Sequence, residues 1–319
     1  MKFIKNKKKI LFIIATREDF GKLKSLIGIL KAGKEYEFYS INYQSKWIWI
    51  VKTKKSICIL QARISSSRLP AKILLPGYNK PLLLHTIERL KKSKLINDVV
   101  VATSRLKIDE IIFKICKKNK INVFRGHPTD LLDRYYRCAT KYNANTIVRI
   151  TSDCPLMDYK IVDKVINKFY FSKADYVSNI HPPTFPDGFD IEVFSYEILK
   201  KAFFEAKKNF QREHVTPYIW DNPKKFKINN YGNSSNYNYY KKFRLTLDYK
   251  EDYYVIWKIY NKLYPLKKLF ELKDIIKYLK HNVHILVNKK YLNVNWYRHH
   301  LTELKTIKKK DTTIKFFWI

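Results

Sequence analysis

The feature that most constrains this chain is a rhythm beginning at Ser56, where short, continuously apolar runs alternate with helix-length segments. Residues 57–60, ending at Gln61, read as a strand, and a polar loop follows over 62–72. A helix starts near Pro81, since proline suits the first helical turn, and it places Leu83, Ile87 and Leu90 on one face. Residues 99–102, 122–124 and 146–150 read as further strands, with helices at 108–118 and 130–142. Continuous apolar strands separated by helices are expected of a parallel sheet covered on both faces. The expected fold class is therefore α/β: a Rossmann-like three-layer domain with a mostly parallel sheet.

Beyond Asp153 the pattern is mixed. Helices are expected at 159–171, 196–207, 214–220 and 252–263, and strands at 175–178, 191–194 and 243–247. Residues 181–188 form a loop containing three prolines, and 230–242, rich in Asn, Ser and Tyr, read as an excursion. The unit so defined runs over 56–262. Residues 1–55 carry a strand at 10–14 and a helix at about 22–30. Residues 263–319 read as a helical extension, with a helix at 272–279, and a basic, aromatic tail.

At 319 residues, with 46% hydrophobic and 15% aromatic content, the chain has ample material for one packed α/β domain or two modest ones. The apolar runs at 10–15 and 47–51 are far shorter than the roughly 20 residues of a membrane-spanning helix. The first follows Lys7, Lys8 and Lys9, but it is too short for a signal peptide. Thr16-Arg17-Glu18-Asp19 also stands where small residues would mark cleavage. Cys58, Cys116, Cys138 and Cys154 form no close pairs and read as reduced thiols. These points lead to an expected cytoplasmic location. The formal charge of +36 could signal nucleic acid as a partner. The lysines are spread along the whole chain, however, whereas an electrostatic footprint clusters. With few glycines beside abundant Lys, Asn, Ile and Tyr, compositional drift is the favoured reading, and nucleic acid is not an expected partner.

Ligands of open α/β sheets bind outside the carboxyl ends of the strands. The loop after the strand at 57–60 offers Arg63, Arg68 and Lys72 with Ser65, Ser66 and Ser67, a set suited to a polyphosphate. It lacks the glycines and the Lys-Ser/Thr pair of a P-loop. Thr103 and Ser104 are hydroxyls placed to read a base or ribose, and Arg125 and Gly126 follow the next strand. Asp130 reads equally as a helix cap or a ligand, and Asp133 with Arg134 equally as a surface pair. Asp153 and Asp248 each end an apolar strand, where a carboxylate could bind Mg²⁺ beside phosphate or cap the next helix. No Gly-x-Ser-x-Gly elbow is present, and His281, His284, His299 and His300 lack partners at zinc-site spacing.

Several stretches follow one another in a set order and spacing: Gln61-Ala62-Arg63, Ser66, Arg68-Leu69-Pro70 and Lys72; Lys80-Pro81-Leu82-Leu83; Val99 through Ser104; Val123 through Gly126; and Leu132 through Tyr136. They continue with Val148-Arg149-Ile150-Thr151-Ser152-Asp153-Cys154-Pro155-Leu156, Asp175 through Asn179, Pro186 through Val193, Arg212 through Ile219, and Arg244-Leu245-Thr246-Leu247-Asp248. Together they resemble the cytidylyltransferases related to spore-coat polysaccharide biosynthesis proteins, cousins of the synthetases that make CMP-ketodeoxyoctonate and CMP-acylneuraminate. The resemblance covers residues 56 to about 305. It implies a nucleotidyltransferase fold and transfer of cytidylyl from CTP to a sugar acid of the nonulosonic type, with Mg²⁺ as cofactor. A sugar-1-phosphate acceptor, an inactive fusion relic and a basic nucleic-acid-binding protein are the rival readings.

The resemblance also implies roles. Arg68, Lys72 and Asp153 would be catalytic, and Asp153 with Asp248 would hold the metal. Ala62, Arg63, Ser65, Ser66, Arg68, Lys72, Thr103, Ser104, Arg125, Gly126 and Ser152 would bind the nucleotide. Asp187, Gly188, Asp190, Glu192, Arg212, His214 and Arg244 would line the sugar side. A homodimer is left open. Ser65 and Ala71 stand where the family usually has glycine, and a side chain carries a cost wherever the backbone needs positive φ. Residues 9–23 resemble the opening strand, loop and helix of hydrolysing UDP-N-acetylglucosamine 2-epimerases. With about one βα unit present, 1–55 would be a relic or a packed appendage, and it points to a nonulosonic-acid pathway.

Overall fold

The computed structural model describes the backbone of residues 10–15, 36–43 and 46–53, and residues 55–233 and 237–312 in full. The first three stretches are strands β1 (Ile10–Ala15), β2 (Tyr36–Tyr43) and β3 (Lys46–Thr53). They form an antiparallel sheet of order β1-β3-β2. The helix expected at about 22–30 and the end of the tail at 313–319 lie outside the described residues.

A separate seven-stranded sheet is built around β4 (Ser56–Gln61), whose alternating side chains enter two cores. Ile57 and Ile59 pack on one face, Cys58 and Leu60 on the other. This two-sided burial is why the strand reads as a continuous apolar run. β5 (Asp98–Ser104) pairs parallel to β4, and β6 (Asn122–Gly126) parallel to β5. The chain then returns to the opposite side of β4, where β7 (Thr146–Thr151) also pairs parallel. Beyond it lie β9 (Glu192–Ser195), β8 (Tyr176–Ser178) and β10 (Ile228–Asn230), so the order is β10-β8-β9-β7-β4-β5-β6. β9 runs antiparallel to both of its neighbours.

Helices α1 (Leu82–Leu90), α2 (Glu110–Lys118) and α4 (Tyr159–Phe171) cover one face. They are joined there by α8 (Lys250–Leu263) and α9 (Leu272–His281). α3 (Leu131–Lys141), α5 (Tyr196–Glu205), α6 (Asn209–His214) and α7 (Pro217–Trp220) cover the other. The architecture is the expected three-layer, Rossmann-like α/β domain. Among the described residues no helix is long and apolar enough to cross a membrane.

Three expectations need correction. The single helix at 214–220 is two: Val215 adopts φ 72°, which ends α6, and Pro217 opens α7. Residues 243–247 are not a strand of the sheet. Their alternation is genuine, since Phe243, Leu245 and Leu247 are buried, but their amides turn to loop carbonyls instead of a ladder. Leu245 N donates to Asp187 O at 2.7 Å and Leu247 N to Asp153 O at 2.9 Å. Finally, the edge strand β10 is unexpected: it ends at Asn230, the first residue of the expected excursion, and its half-buried Ile-Asn-Asn offers no apolar signal.

Candidate active site

The strand order reverses between β4 and β7, because the crossovers first move from β4 outward to β6 and then jump back. Such a switch point leaves a crevice outside the carboxyl ends of the two strands. A pocket of about 140 Å³ lies there, walled by Gln61, Ala62, Arg63, Ser66, Ser67, Arg68 and Lys72 from the first loop. Thr151, Ser152 and Asp153 close it from the end of β7, and Leu131 with Arg134 from α3. The first loop is folded by its own backbone: Ser66 N and Ala71 N both donate to Ile64 O, at 2.9 and 3.1 Å. Ala71 turns the chain with φ 52° and ψ 22°, a left-handed residue, and Lys72 then points inward from a 3₁₀ turn.

Lys72 is the pivot of the charge arrangement. Its Nζ lies 3.1 Å from Asp153 Oδ2 and 2.9 Å from Asp248 Oδ1, so the two carboxylates meet across one ammonium. Burial alone would lower the Lys72 pKa, but the two carboxylates outweigh it and the pKa is raised. Arg68 Nη2 reaches Asp248 Oδ1 at 2.6 Å, and Arg244 Nη2 reaches Asp248 Oδ2 at 3.0 Å. Burial pushes the Asp248 carboxyl up, yet Lys72, Arg68 and Arg244 together hold it well below the usual carboxylate range. The capping alternative is removed by geometry: Asp158 caps α4 by accepting from Lys160 N, and Asp252 accepts the amides of Asp248 and Tyr249 before α8.

Around this pair the sugar-side residues divide. Asp187 Oδ2 accepts from Arg244 Nη1 at 2.8 Å, and burial, opposed by Arg244 but aided by Asp248 and Asp252, moves its pKa up to about 6. Asp190 is half-buried with no hydrogen bond to a described residue, and burial and neighbouring carboxylates raise its pKa well above the ordinary value. Gly188, at φ +101°, sits so close to Leu245 that an added Cβ would lie 2.4 Å from its carbonyl carbon. Glu192 is buried in a pair with Arg149 and accepts from Tyr176 OH at 2.8 Å. Arg212 Nε donates to Asp130 Oδ2 at 2.6 Å, and its Nη1 to the carbonyls of Phe203 and Ala206. His214 stacks on Trp296 with centroids 3.8 Å apart, and burial, reinforced by Arg149, lowers its pKa to about 3.

Some nucleotide-side residues are placed away from the pocket. Thr103 is fully buried in β5, and Ser104 Oγ donates to Asp109. Arg125 knits the far loops together, pairing with Glu110 and donating to the carbonyls of Ser104 and Arg105. Gly126 gives room to Arg134, whose Cγ would lie 2.7 Å from an added Cβ. Arg134 is buried, not part of a surface pair, and its Nε donates to His127 O at 2.9 Å. Asp133 pairs with Arg137 instead, and Asp130 caps α3 by accepting from Asp133 N.

Comparison with known proteins decides the family. The sequence model of a family described as cytidylyltransferase matches residues 57–291. The chain belongs to the cytidylyltransferase family. A cytidylyltransferase structure from Leptospira borgpetersenii superposes with a TM-score of 0.69 at 38% identity, covering 74% of this chain and 98% of that one. The spore coat polysaccharide biosynthesis protein SpsF of Bacillus subtilis is 31% identical over 209 residues, 64% of this chain and 85% of its own length. A 3-deoxy-manno-octulosonate cytidylyltransferase of Chloroherpeton thalassium matches over 123 residues at 30% identity, 38% of this chain and 48% of its own.

This chain is thus a CTP-dependent nucleotidyltransferase, and its crevice contains residues that sequence reasoning missed. Asp109 is buried and accepts from Ile64 N at 2.7 Å as well as from Ser104, anchoring the first loop from behind. Gln61 Oε1 accepts from Tyr135 OH at 3.3 Å and from Arg149 Nη2 at 3.4 Å, which ties the floor of the pocket to the Glu192 pair. A lone Asp in a helical start carries no local signal. Gln61 and Arg149 did carry one, as polar residues within or ending apolar strands.

Proposed function

We propose that this cytidylyltransferase activates a sugar acid, transferring cytidylyl from CTP to a sugar hydroxyl with release of pyrophosphate, in the cytoplasm and for surface polysaccharide synthesis. The observation that carries the reading is Lys72 held between Asp153 and Asp248 at the mouth of a cation-rich pocket. The match to a 3-deoxy-manno-octulosonate cytidylyltransferase supports a sugar acid as acceptor, and the match to SpsF supports a place in polysaccharide biosynthesis.

The triphosphate would lie along residues 62–72, with Arg63, Arg68 and Lys72 neutralising the charge that builds on departing pyrophosphate. The backbone and hydroxyls of Ser65, Ser66 and Ser152 would direct it. The sugar hydroxyl, giving up its proton to water, attacks the α-phosphorus as the bond to the β-phosphate oxygen breaks, so positioning and charge neutralisation suffice without a covalent enzyme intermediate. Asp153 and Asp248 fit a hard divalent ion, which takes one or two carboxylates plus phosphate oxygens, and Mg²⁺ held there would polarise the α-phosphate. No group of three or more His, Cys, Asp or Glu suited to a metal occurs among the described residues, so the remaining ligands would be phosphate and water oxygens.

Pyrophosphate release from CTP with 3-deoxy-manno-octulosonate or N-acetylneuraminate tests the reading. Asp153→Asn or Asp248→Asn should each lower turnover on the order of 100-fold. The double variant should be little worse, since groups acting as one unit are not additive. Turnover with a sugar 1-phosphate but with neither acid would replace the sugar-acid reading. Near-normal turnover of Asp153→Asn at saturating Mg²⁺ would remove the metal assignment.

A further inference from the structure

The two hydroxyls expected to read the base do not line the crevice: Thr103 is fully buried in β5, and Ser104 Oγ is bonded to Asp109. Arg125 is likewise held by Glu110 and by the carbonyls of Ser104 and Arg105. Among the residues that do line it, two keep a hydrogen-bond donor unused.

Gln61, at the carboxyl end of β4, is the first. Its Oε1 accepts from Arg149 Nη2 at 3.4 Å and from Tyr135 OH at 3.3 Å. A guanidinium nitrogen only donates, so the contact with Arg149 fixes which end of the amide is oxygen and keeps the amide from turning over. Nε2, which can only donate, bonds to no described residue and is the end left for the crevice. Arg134 in α3 is the second. It is 1% exposed, and its Nε and Nη2 donate to the carbonyls of His127 and Pro128, at 2.9 and 2.8 Å. No carboxylate pairs with it among the described residues, and its Nη1 bonds to none of them, although Arg134 lines the crevice. A buried guanidinium with an unbonded nitrogen is costly until an acceptor meets it. One free nitrogen suits a carbonyl oxygen, whereas a phosphate is commonly held by both arms of the fork. Leu131 and Ala62, in the same crevice, add apolar contact for a flat ring.

Cytosine offers acceptors at both O2 and N3, whereas uracil offers an acceptor at O2 and a donor at N3. Two fixed donors satisfy cytosine and set N–H against N–H in uracil, and a site built on such hydrogen bonds rejects the wrong partner strongly. We propose that Gln61 Nε2 donates to N3 of the cytosine and Arg134 Nη1 to its O2, the Gln61 amide being held in its donor sense by Arg149. This assignment rests on the use of CTP and not on the identity of the acceptor.

The test therefore needs no acceptor: it is calorimetric binding of CTP, UTP, 3-deazacytidine triphosphate and inorganic pyrophosphate to the full-length protein with Mg²⁺. The parent should bind CTP at least about 10-fold more tightly than UTP, and than the 3-deaza analogue, which lacks the N3 acceptor. Gln61→Leu should lose that preference, Kd for CTP rising about 10-fold toward that for UTP. Its Kd for pyrophosphate should stay within about twofold, which shows that the variant is folded. Gln61→Glu, which puts an acceptor in place of Nε2, should shift the preference toward UTP. Arg134→Met should weaken CTP and UTP alike, because both present O2. A parent that binds the 3-deaza analogue as tightly as CTP overturns the assignment of Gln61. So does a Gln61→Leu variant that binds pyrophosphate normally and still prefers CTP. Unchanged CTP affinity in Arg134→Met removes Arg134. A parent that binds neither triphosphate fails the CTP reading first, and the pair with it.

Discussion

The most informative single residue in the crevice is Ala71. Family resemblance marks Ser65 and Ala71 as positions where glycine is usual, and the structure separates them. Ala71 adopts φ 52°, whereas Ser65 is not among the described residues with positive φ. The left-handed region costs a residue with a Cβ roughly 1–2 kcal/mol, and glycine returns part of that gain as unfolded-state entropy. Ala71→Gly should therefore raise stability by about 0.5–1 kcal/mol in chemical denaturation and leave CTP turnover unchanged or faster. A lower stability would mean that packing of the Ala71 methyl outweighs its strain. Gly188 is the opposite case, already glycine where Leu245 leaves no room for a Cβ.

At the scale of elements, the loop of residues 62–72 is held in place by a helix start 45 residues away. Asp109 accepts from Ile64 N and Ser104 Oγ in a buried setting. Removing it strands the Ile64 amide, which costs about 1–3 kcal/mol. Asp109→Ala should lose that much stability and raise KM for CTP, because the loop that carries Arg63 and Arg68 loses its anchor. An unchanged KM would mean that the Ala71 turn and the Lys72 pairs suffice. This link also marks what was legible in the sequence and what was not. Runs such as 57–60 and 146–150 announce strands because burial on both faces leaves only apolar side chains. Asp153 stands out because a carboxylate follows such a run. Residues 243–247 mislead, since the same alternation serves a segment that bonds to the loop carbonyls of Asp187 and Asp153. The occupied states of Ser104, Arg212 and Arg244 are invisible from spacing, because their partners Asp109, Asp130 and Asp252 are chosen by tertiary contact.

At the scale of the whole molecule, the two sheets share no strand pairing: β1, β2 and β3 pair only among themselves, and the seven-stranded sheet begins at Ser56. The family match begins at residue 57 and the pocket is lined from Gln61 onward. Lys55 already belongs to the larger unit, with its N donating to Asn145 Oδ1 at 2.9 Å and its Nζ to Tyr142 O at 2.8 Å. Deleting residues 1–54 therefore removes no strand of the larger sheet and none of the described residues that line the crevice or build the two cores. A unit with its own core folds independently of what precedes it. The truncated chain should stay soluble, unfold cooperatively, and turn over CTP within roughly threefold of the full chain. Epimerase activity should be absent from both, because a segment of about 50 residues around a three-stranded antiparallel sheet cannot build the two domains such enzymes use. A truncated chain that aggregates, or that folds but loses CTP turnover, would show that the small sheet supports the catalytic domain through side-chain packing and is no appendage.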